Sequence, residues 1–291
     1  MPAMTASVVT ASYQPDFERC RLLCETMDRH VTGHSMHYIL VEGRDVALFR
    51  QLEGPRRVVV DERDLLPGRL VALWDPTSLF RRRVWVGLHT RPLRGWHVQQ
   101  LRRIGIAAHA GDDNFIYVDS DVAFVRPMDI GLFARGGRTR LFRRDYGLAV
   151  GPTPDHALWY NNAGAVLGIA AAQASPHDYI TTLIAWRRQT ILDMCRHVER
   201  LSGRNWAEAI ASDRKFSECI IYGRYVDEVR HGADHFHCNV ELCRMKWDGQ
   251  PMTEPEMRDF IAGMDDNQYA IGVQSFTGTD AGAMRRVLAE I

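Results

Sequence analysis

Between Ser7 and Glu62 the chain alternates three short apolar runs with two stretches of helical spacing. No other feature constrains the fold as strongly. "SVVTAS" (Ser7 to Ser12) reads as a short buried strand. A turn at Gln14-Pro15-Asp16 follows, and Phe17, Cys20, Cys24, Met27 and Val31 then recur at the spacing of one helix face. "HYILVEG" is a second strand, "RDVALFRQLEG" a short helix and "RRVVVDE" a third strand. Strands alternating with helices predict parallel βαβ units and a doubly wound sheet. The length of 291 residues suits one large α/β unit. No repeat or low-complexity linker marks a boundary, so a single domain over 1–291 is expected.

From Leu65 to Arg94 the pattern breaks. Pro67, Gly68, Pro76 and Pro92 interrupt it, and Arg81-Arg82-Arg83 lies between Trp74 and Trp85. The stretch is too long for a simple connection. It reads either as a solvated excursion or as a basic flap near an anionic ligand or a membrane surface. From Gly95 a helix carries Trp96, Leu101, Ile104 and Ala108 on one side and ends near Gly111. Further on, "YNNAGAVLG" is a small-residue segment after a turn, a long helix is expected from Pro176 to Leu201, and "FSECIIYGRYV" reads as a buried helix. Thr253 and Glu256 have capping-box spacing. A strand "YAIGVQS" precedes a last helix.

The helix from Gly95 delivers the chain into "NFIYVDSDVAFVRPMD" (Asn114 to Asp129). Here a buried strand runs straight into Asp119-Ser120-Asp121. An unpaired buried carboxylate is costly, so a cation is required: an arginine, a helix N-terminus or a metal ion. The position is also telling, because open α/β sheets bind ligands beyond the carboxyl ends of their strands. On an extended strand the two Cβ atoms would lie ~6.6 Å apart on one face. Both carboxylates reach one ion only if the chain bends there. Either arrangement leaves most of a Mg²⁺ or Mn²⁺ shell to be completed by substrate phosphates.

Composition narrows the field. The formal net charge of +0 argues against a general polyanion binder, so no nucleic-acid partner is expected. Lys215 and Lys246 are the only lysines among 36 basic residues. Codon bias explains the arginine excess at least as well as phosphate binding does. None of the six cysteines forms a C-x-x-C pair, which speaks against a zinc knuckle or a redox dithiol. The N-terminus lacks the pattern of a signal peptide, and no run of ~20 apolar residues could span a bilayer. A cytoplasmic protein with reduced thiols is expected.

Two enzyme classes place D-x-D after an apolar strand. A Mg²⁺-dependent phosphatase or phosphotransferase uses the first Asp as nucleophile and the second as general acid, close to the N-terminus. Here more than a hundred residues precede the motif. The other class is the nucleotide-sugar glycosyltransferase of the GT-A fold. The chain resembles that fold, and specifically an uncharacterised bacterial family of predicted glycosyltransferases. The resemblance rests on "SVVTASYQPDFERC", "GWHVQQLRRIGIA", "FIYVDSDVAFVRP", "YNNAGAVLG", "FSECIIYGRYV" and "GVQSFTG", in that order along nearly the whole chain.

The resemblance implies a GT-A-like, Rossmann-like, mostly parallel sheet flanked by helices. Residues 1–129 would form the nucleotide-sugar-binding half and 130–291 the acceptor side. It implies a hexosyltransferase-type enzyme that uses Mn²⁺ or Mg²⁺ to move sugar from a nucleotide-diphosphate donor, a UDP-sugar first, to a glycan or lipid-linked acceptor in bacterial surface polysaccharide synthesis. A non-catalytic scaffold that binds nucleotide-sugar is the remaining alternative. By the same resemblance Thr10, Ser12 and Asp16 lie near the base and ribose, and Gln99, Gln100 and Arg103 face the sugar or diphosphate. Asp119, Ser120 and Asp121 form the metal and donor motif. His237, or its neighbour His235, supplies a third ligand. Glu218 faces the acceptor as proton acceptor, and Asn161 and Asn162 hold acceptor hydroxyls. Structural roles compete: Asp16 as a helix N-cap, Glu218 as a first-turn acid, the asparagines as turn formers. The Arg81–Arg94 region is a candidate for peripheral membrane contact.

Overall fold

The computed structural model describes residues 4–68, 70–148, 154–170 and 176–291. In chain order, β1 (Ala6–Ala11) leads through α1 (Phe17–His30) to β2 (His37–Val41) and β3 (Arg57–Asp61). A hairpin of β4 (Val71–Trp74) and β5 (Arg83–Val86) follows, and then α2 (Gly95–His109). The chain continues through β6 (Asn114–Tyr117), β7 (Val122–Phe124), β8 (Arg138–Phe142) and α3 (Pro154–Leu167). Strand β9 (Ile184–Arg187), α4 (Arg188–Ser202) and α5 (Glu218–Arg224) come next. The last elements are β10 (His235–Cys238), β11 (Cys243–Lys246), α6 (Glu254–Ala262), β12 (Ala270–Val273) and α7 (Ala281–Leu288).

The central sheet has the order β9-β6-β1-β2-β3. Strands β6, β1, β2 and β3 are mutually parallel, and β9 is an antiparallel edge. The continuous apolar runs of the sequence follow from this, because helices cover both faces. Val8 and Ile116 pack with Leu23 and Met27 of α1, whereas Val9, Phe115 and Tyr117 pack with Leu101 and Ile104 of α2. The chain leaves β1 on one face toward β2 and returns on the other face to β6, on β1's opposite side. The carboxyl ends of β1 and β6 therefore flank the point where strand order reverses, the position at which open α/β sheets bind ligands. This is a mixed α/β unit with a mostly parallel central sheet, as expected.

Three local expectations are corrected. The long helix from Pro176 is in fact strand β9 followed by α4. Trp186 stacks on the Tyr222 ring at 4.8 Å and lies 4.5 Å from that of Tyr117, so burial of the Ile184-Ala185-Trp186 run outweighs helical spacing. Asn161 and Asn162 do not form a turn, because "YNNAGAVL" lies in α3, and Gly164 leaves room for the Arg224 guanidinium, whose Nη1 would be 2.7 Å from an added Cβ. Residues 119–121 do not continue the strand: Val122 N–H donates to the Asp119 carbonyl at 3.2 Å and turns the chain into β7. The capping box of α6 is present in both directions.

One buried ion pair ties these layers together. Arg102 on α2 donates from Nε to Glu62 Oε2 at 2.9 Å, again from Nη2, and from Nη1 to the Ser12 carbonyl at 3.4 Å. Trp85 Nε1 donates to the other Glu62 oxygen at 2.9 Å. Glu62 thus joins the ends of β1 and β3, the hairpin and α2. Removing the arginine alone leaves a buried charge unpaired. Arg102→Met is therefore expected to cost about 3–5 kcal/mol in chemical denaturation, and Arg102→Met/Glu62→Gln to recover a substantial part of that loss. Equal losses for the single and double variants would show that packing, not charge, dominates.

Candidate active site

The turn at 119–121 sits where β6 leaves the sheet, facing the loop that follows β1. It gathers Asp16, Asp119 and Asp121 with Ser120, Arg19 and Arg103. Ser120 Oγ donates to Asp16 Oδ2 at 3.5 Å. Asp16 occupies the N-cap position of α1, but its side chain makes no capping bond. The capping role is therefore not used, and the carboxylate turns toward the aspartate turn instead.

Asp121 is buried, and it is the one acidic side chain among the described residues with a shielded oxygen, Oδ1, that has no hydrogen-bond partner. Burial, then the charges of Asp119 and Asp16, push its carboxyl up to about 7, against the opposing charge of Arg19. Burial likewise raises Asp16, opposed by Arg19 and by hydrogen bonds from Ser275 and Ser120. Arg19 is itself held by the carbonyls of Val273, at 3.0 Å, and Thr279, at 2.5 Å. Val273 N–H donates to the Asp121 carbonyl at 3.1 Å, so the "GVQSFTG" loop closes directly on the turn.

Asp119 is more exposed and meets a cation: Arg103 Nη1 lies 3.5 Å from Asp119 Oδ1 and 3.0 Å from Glu218 Oε1. Gln100 Oε1 accepts the Glu218 backbone N–H at 3.0 Å, while its buried Nε2 has no partner. Gln100, Arg103, Asp119 and Glu218 therefore meet, an arrangement the sequence reading did not foresee, with Gln99 half-buried on the same helix. Burial raises the Glu218 carboxyl, opposed by Arg103. A shielded, ion-paired carboxylate of this kind positions Arg103 and is poorly placed to accept a proton from an exposed hydroxyl.

Other expected residues lie elsewhere or face inward. Thr10 is fully buried, its hydroxyl 3.0 Å from His37 Nε2, so it is part of the sheet interior. Ser12 Oγ is buried without a conventional partner, next to the Cys20 thiol. His235 is enclosed between Tyr222 OH at 2.8 Å and the Ala233 carbonyl at 2.7 Å, and burial pushes its pKa down to about 4. His237 Nε2 faces Asp227 Oδ1 at 2.7 Å and Arg143 at 3.2 Å. Asn161 is exposed on α3, and Asn162 Nδ2 donates to the Lys215 carbonyl. No three His, Cys, Asp or Glu residues are placed together to hold a metal ion among the described residues, so neither histidine joins Asp119 and Asp121. The aspartates are hard oxygen donors that suit Mg²⁺ or Mn²⁺, and the unpartnered Asp121 oxygen fits such an ion, with the remaining ligands coming from outside the chain.

Sequence reasoning missed Arg19, Tyr13 and Ser275. Tyr13 follows β1 directly, is 40% exposed, and lies within electrostatic reach of Asp16 and Asp121. Its place beyond the carboxyl end of β1 was the available signal. Arg19 and Ser275 lie within "SVVTASYQPDFERC" and "GVQSFTG", but their roles follow only from the packing of α1 against the stretch after β12.

The chain belongs to a family of unknown function, DUF6492, which matches residues 3–290. No curated protein matches it.

Uncompensated charge at Asp121 opposes folding. Its carboxyl is raised from the ordinary value near 3.8 to about 7 in the folded protein, so the penalty is absent below pH ~4, grows as the pH rises, and is complete above ~7. Asp121→Asn is accordingly expected to raise the metal-free melting temperature by several degrees at pH 8 and by little at pH 4.5. A destabilised variant at pH 8 would contradict this.

Proposed function

We propose that the protein is a metal-assisted, GT-A-like glycosyltransferase that moves a sugar from a nucleoside-diphosphate donor, a UDP-sugar first, to a hydroxyl of a glycan or lipid-linked acceptor. The observation that carries this reading is the Asp119–Asp121 turn at the carboxyl end of β6, beside the β1 loop at the reversal of strand order, with one carboxylate oxygen left unpartnered. Buried carboxylate oxygens are ordinarily paired, so an unpartnered one at this position supports a ligand role.

Transfer breaks the bond between the anomeric carbon and the diphosphate and forms a carbon–oxygen bond to the acceptor. The acceptor hydroxyl passes its proton to the departing diphosphate, directly or through water, and the nucleoside diphosphate leaves with the electron pair of the broken bond. Bound at Asp121, Mn²⁺ or Mg²⁺ would neutralise the charge that develops on the leaving diphosphate. Tyr13 offers a half-exposed ring for the base, while Ser12, buried against the Cys20 thiol, supports the end of β1 from inside. Asp119, the more exposed carboxylate, reaches the ribose hydroxyls or the metal through water. Arg103, held by Glu218 at 3.0 Å, lies 3.5 Å from Asp119 and orients it. Arg19 limits repulsion between Asp16 and Asp121 while the site is empty of cations.

The test is donor turnover with Mn²⁺, read as nucleoside diphosphate and inorganic phosphate separately. Wild type is expected to release UDP from its donor sugar, to stop when EDTA is added, and to gain about 2.7 kcal/mol of stability with UDP at a hundredfold excess over Kd. Asp121→Asn is expected to lower kcat by about a hundredfold or more, since the lost interaction is stronger in the transition state. Asp119→Ala chiefly raises KM. Release of inorganic phosphate would instead identify a phosphotransfer enzyme, and metal-dependent UDP binding without turnover a binding scaffold.

A further inference from the structure

Six of the fifteen large apolar side chains exposed among the described residues fall between Val71 and Leu88, so exposure is concentrated in the β4–β5 hairpin. The register pairs Val71 with Val86 and Leu73 with Val84, which places all four on one face. The opposite face carries Ala72, Trp74, Arg83 and Trp85, of which Trp85 is buried against the body while Trp74 stays 48% exposed beside the Arg83 guanidinium. Beyond the strands, Leu79 and Phe80 are 76% and 63% exposed at the tip. Both adopt left-handed backbone, with φ of 53° and 58°, a conformation that large apolar residues rarely hold. The tip is nonetheless well defined: Asp75 N–H donates to the Arg82 carbonyl at 2.8 Å and Phe80 N–H to the Asp75 carbonyl at 3.1 Å.

Around this apolar surface the charge has one sign. Residues 70–94 hold five arginines and a single acidic residue, Asp75, in a chain whose formal net charge is +0. Arg81, Arg82, Arg91 and Arg94 are exposed. Apolar side chains ringed by arginines fit an anionic bilayer, where the apolar tip enters the headgroup boundary and guanidinium groups meet phosphates. A second copy of the same hairpin fits worse, because it would bring like charges together.

We propose that the β4–β5 hairpin docks the protein on an anionic lipid surface, with Leu79 and Phe80 inserted and Arg81 and Arg82 on the headgroups. The hairpin is fixed to the sheet's carboxyl edge by Arg83 bonded to Glu42 at 2.7 Å and by Trp85 bonded to Glu62. Docking therefore sets the site beside the bilayer. That the acceptor is lipid-linked rests on the glycosyl-transfer reading, whereas docking itself does not.

Sedimentation with phosphatidylcholine vesicles, with and without about 30 mol% phosphatidylglycerol, tests docking without any donor sugar, so its failure is separate from failure of the enzymatic reading. The full-length protein is expected to sediment with the anionic vesicles only and to be released by high salt. Leu79→Ser/Phe80→Ser should lower partitioning by about tenfold or more. Arg81→Glu/Arg82→Glu should lower it by about twentyfold or more. Both pairs are exposed, and unchanged melting curves would establish that the variants fold. The proposal is overturned if wild type stays in the supernatant with anionic vesicles, or if both folded variants sediment like wild type. It is equally overturned if wild type is a dimer in solution that Leu79→Ser/Phe80→Ser converts to monomer.

Discussion

Pairing of buried carboxylates with arginines along one edge of the sheet is the constraint on which the rest of this structure depends. The carboxyl ends of parallel strands bring acidic residues together: Glu42 after β2, Glu62 after β3, and Asp119 and Asp121 after β6. Without cations they would repel each other across a poorly solvated edge. Arg83 answers Glu42, Arg102 answers Glu62, and Arg103 lies between Asp119 and Glu218. The chain's strong preference for arginine over lysine has a structural use here, since a planar fork can bond a carboxylate twice and still reach a carbonyl, as Arg102 does. Within this edge Asp121 is the exception. Its nearest compensating charge is Arg19, which spends its hydrogen bonds on backbone carbonyls. The site is the place where the compensation stops.

Much of this could be read in the sequence, for identifiable reasons. β1, β2, β3 and β6 were legible because a strand covered on both faces must be apolar throughout, and each run ends in polar or turn-forming residues. The aspartate turn was placed correctly at a carboxyl end because α2, with its strong helical spacing, leads directly into β6. Strand β9 was hidden because it is four residues long and continues into the amphipathic α4, so a single helix accounted for both. Its true state depends on stacking against Tyr117 and Tyr222, contacts made between segments far apart in the chain. The histidines illustrate the same limit. Their spacing of two residues suits one face of a strand but does not say which sheet that strand joins, and β10 pairs with β8 rather than with the strands around Asp121.

Site residues divided along the same line. Gln100, Arg103, Asp119 and Glu218 lie on or beside elements that the sequence announces, α2, β6 and α5, although their meeting was not foreseen. The cradle around Asp16 and Asp121 was not announced, because Arg19, Ser275 and the Val273 amide meet there only after α1 and the stretch after β12 have packed against each other. Thr10 was misjudged for a local reason: on a strand covered on both faces, a threonine one residue before the loop still points into the sheet, where His37 takes up its hydroxyl.

An isolated two-stranded hairpin is marginal in water, so β4–β5 persists through what it is tied to. Trp74 lies between the guanidinium groups of Arg44 and Arg83, at 5.2 and 5.0 Å, and Arg83 continues to Glu42. Trp85 shares Glu62 with Arg102, which in turn holds the Ser12 carbonyl at the end of β1. Three bonds thus separate the base of the hairpin from the loop facing the aspartate turn, and every one involves a buried or half-buried group. Swinging the hairpin away would expose Trp85 and leave Glu62 short of a donor, a cost that a mobile lid could not bear at each opening. The hairpin is therefore a fixed bracket. Whatever occupies its outer face is held at one orientation to the aspartate turn, and geometry rather than motion links the two.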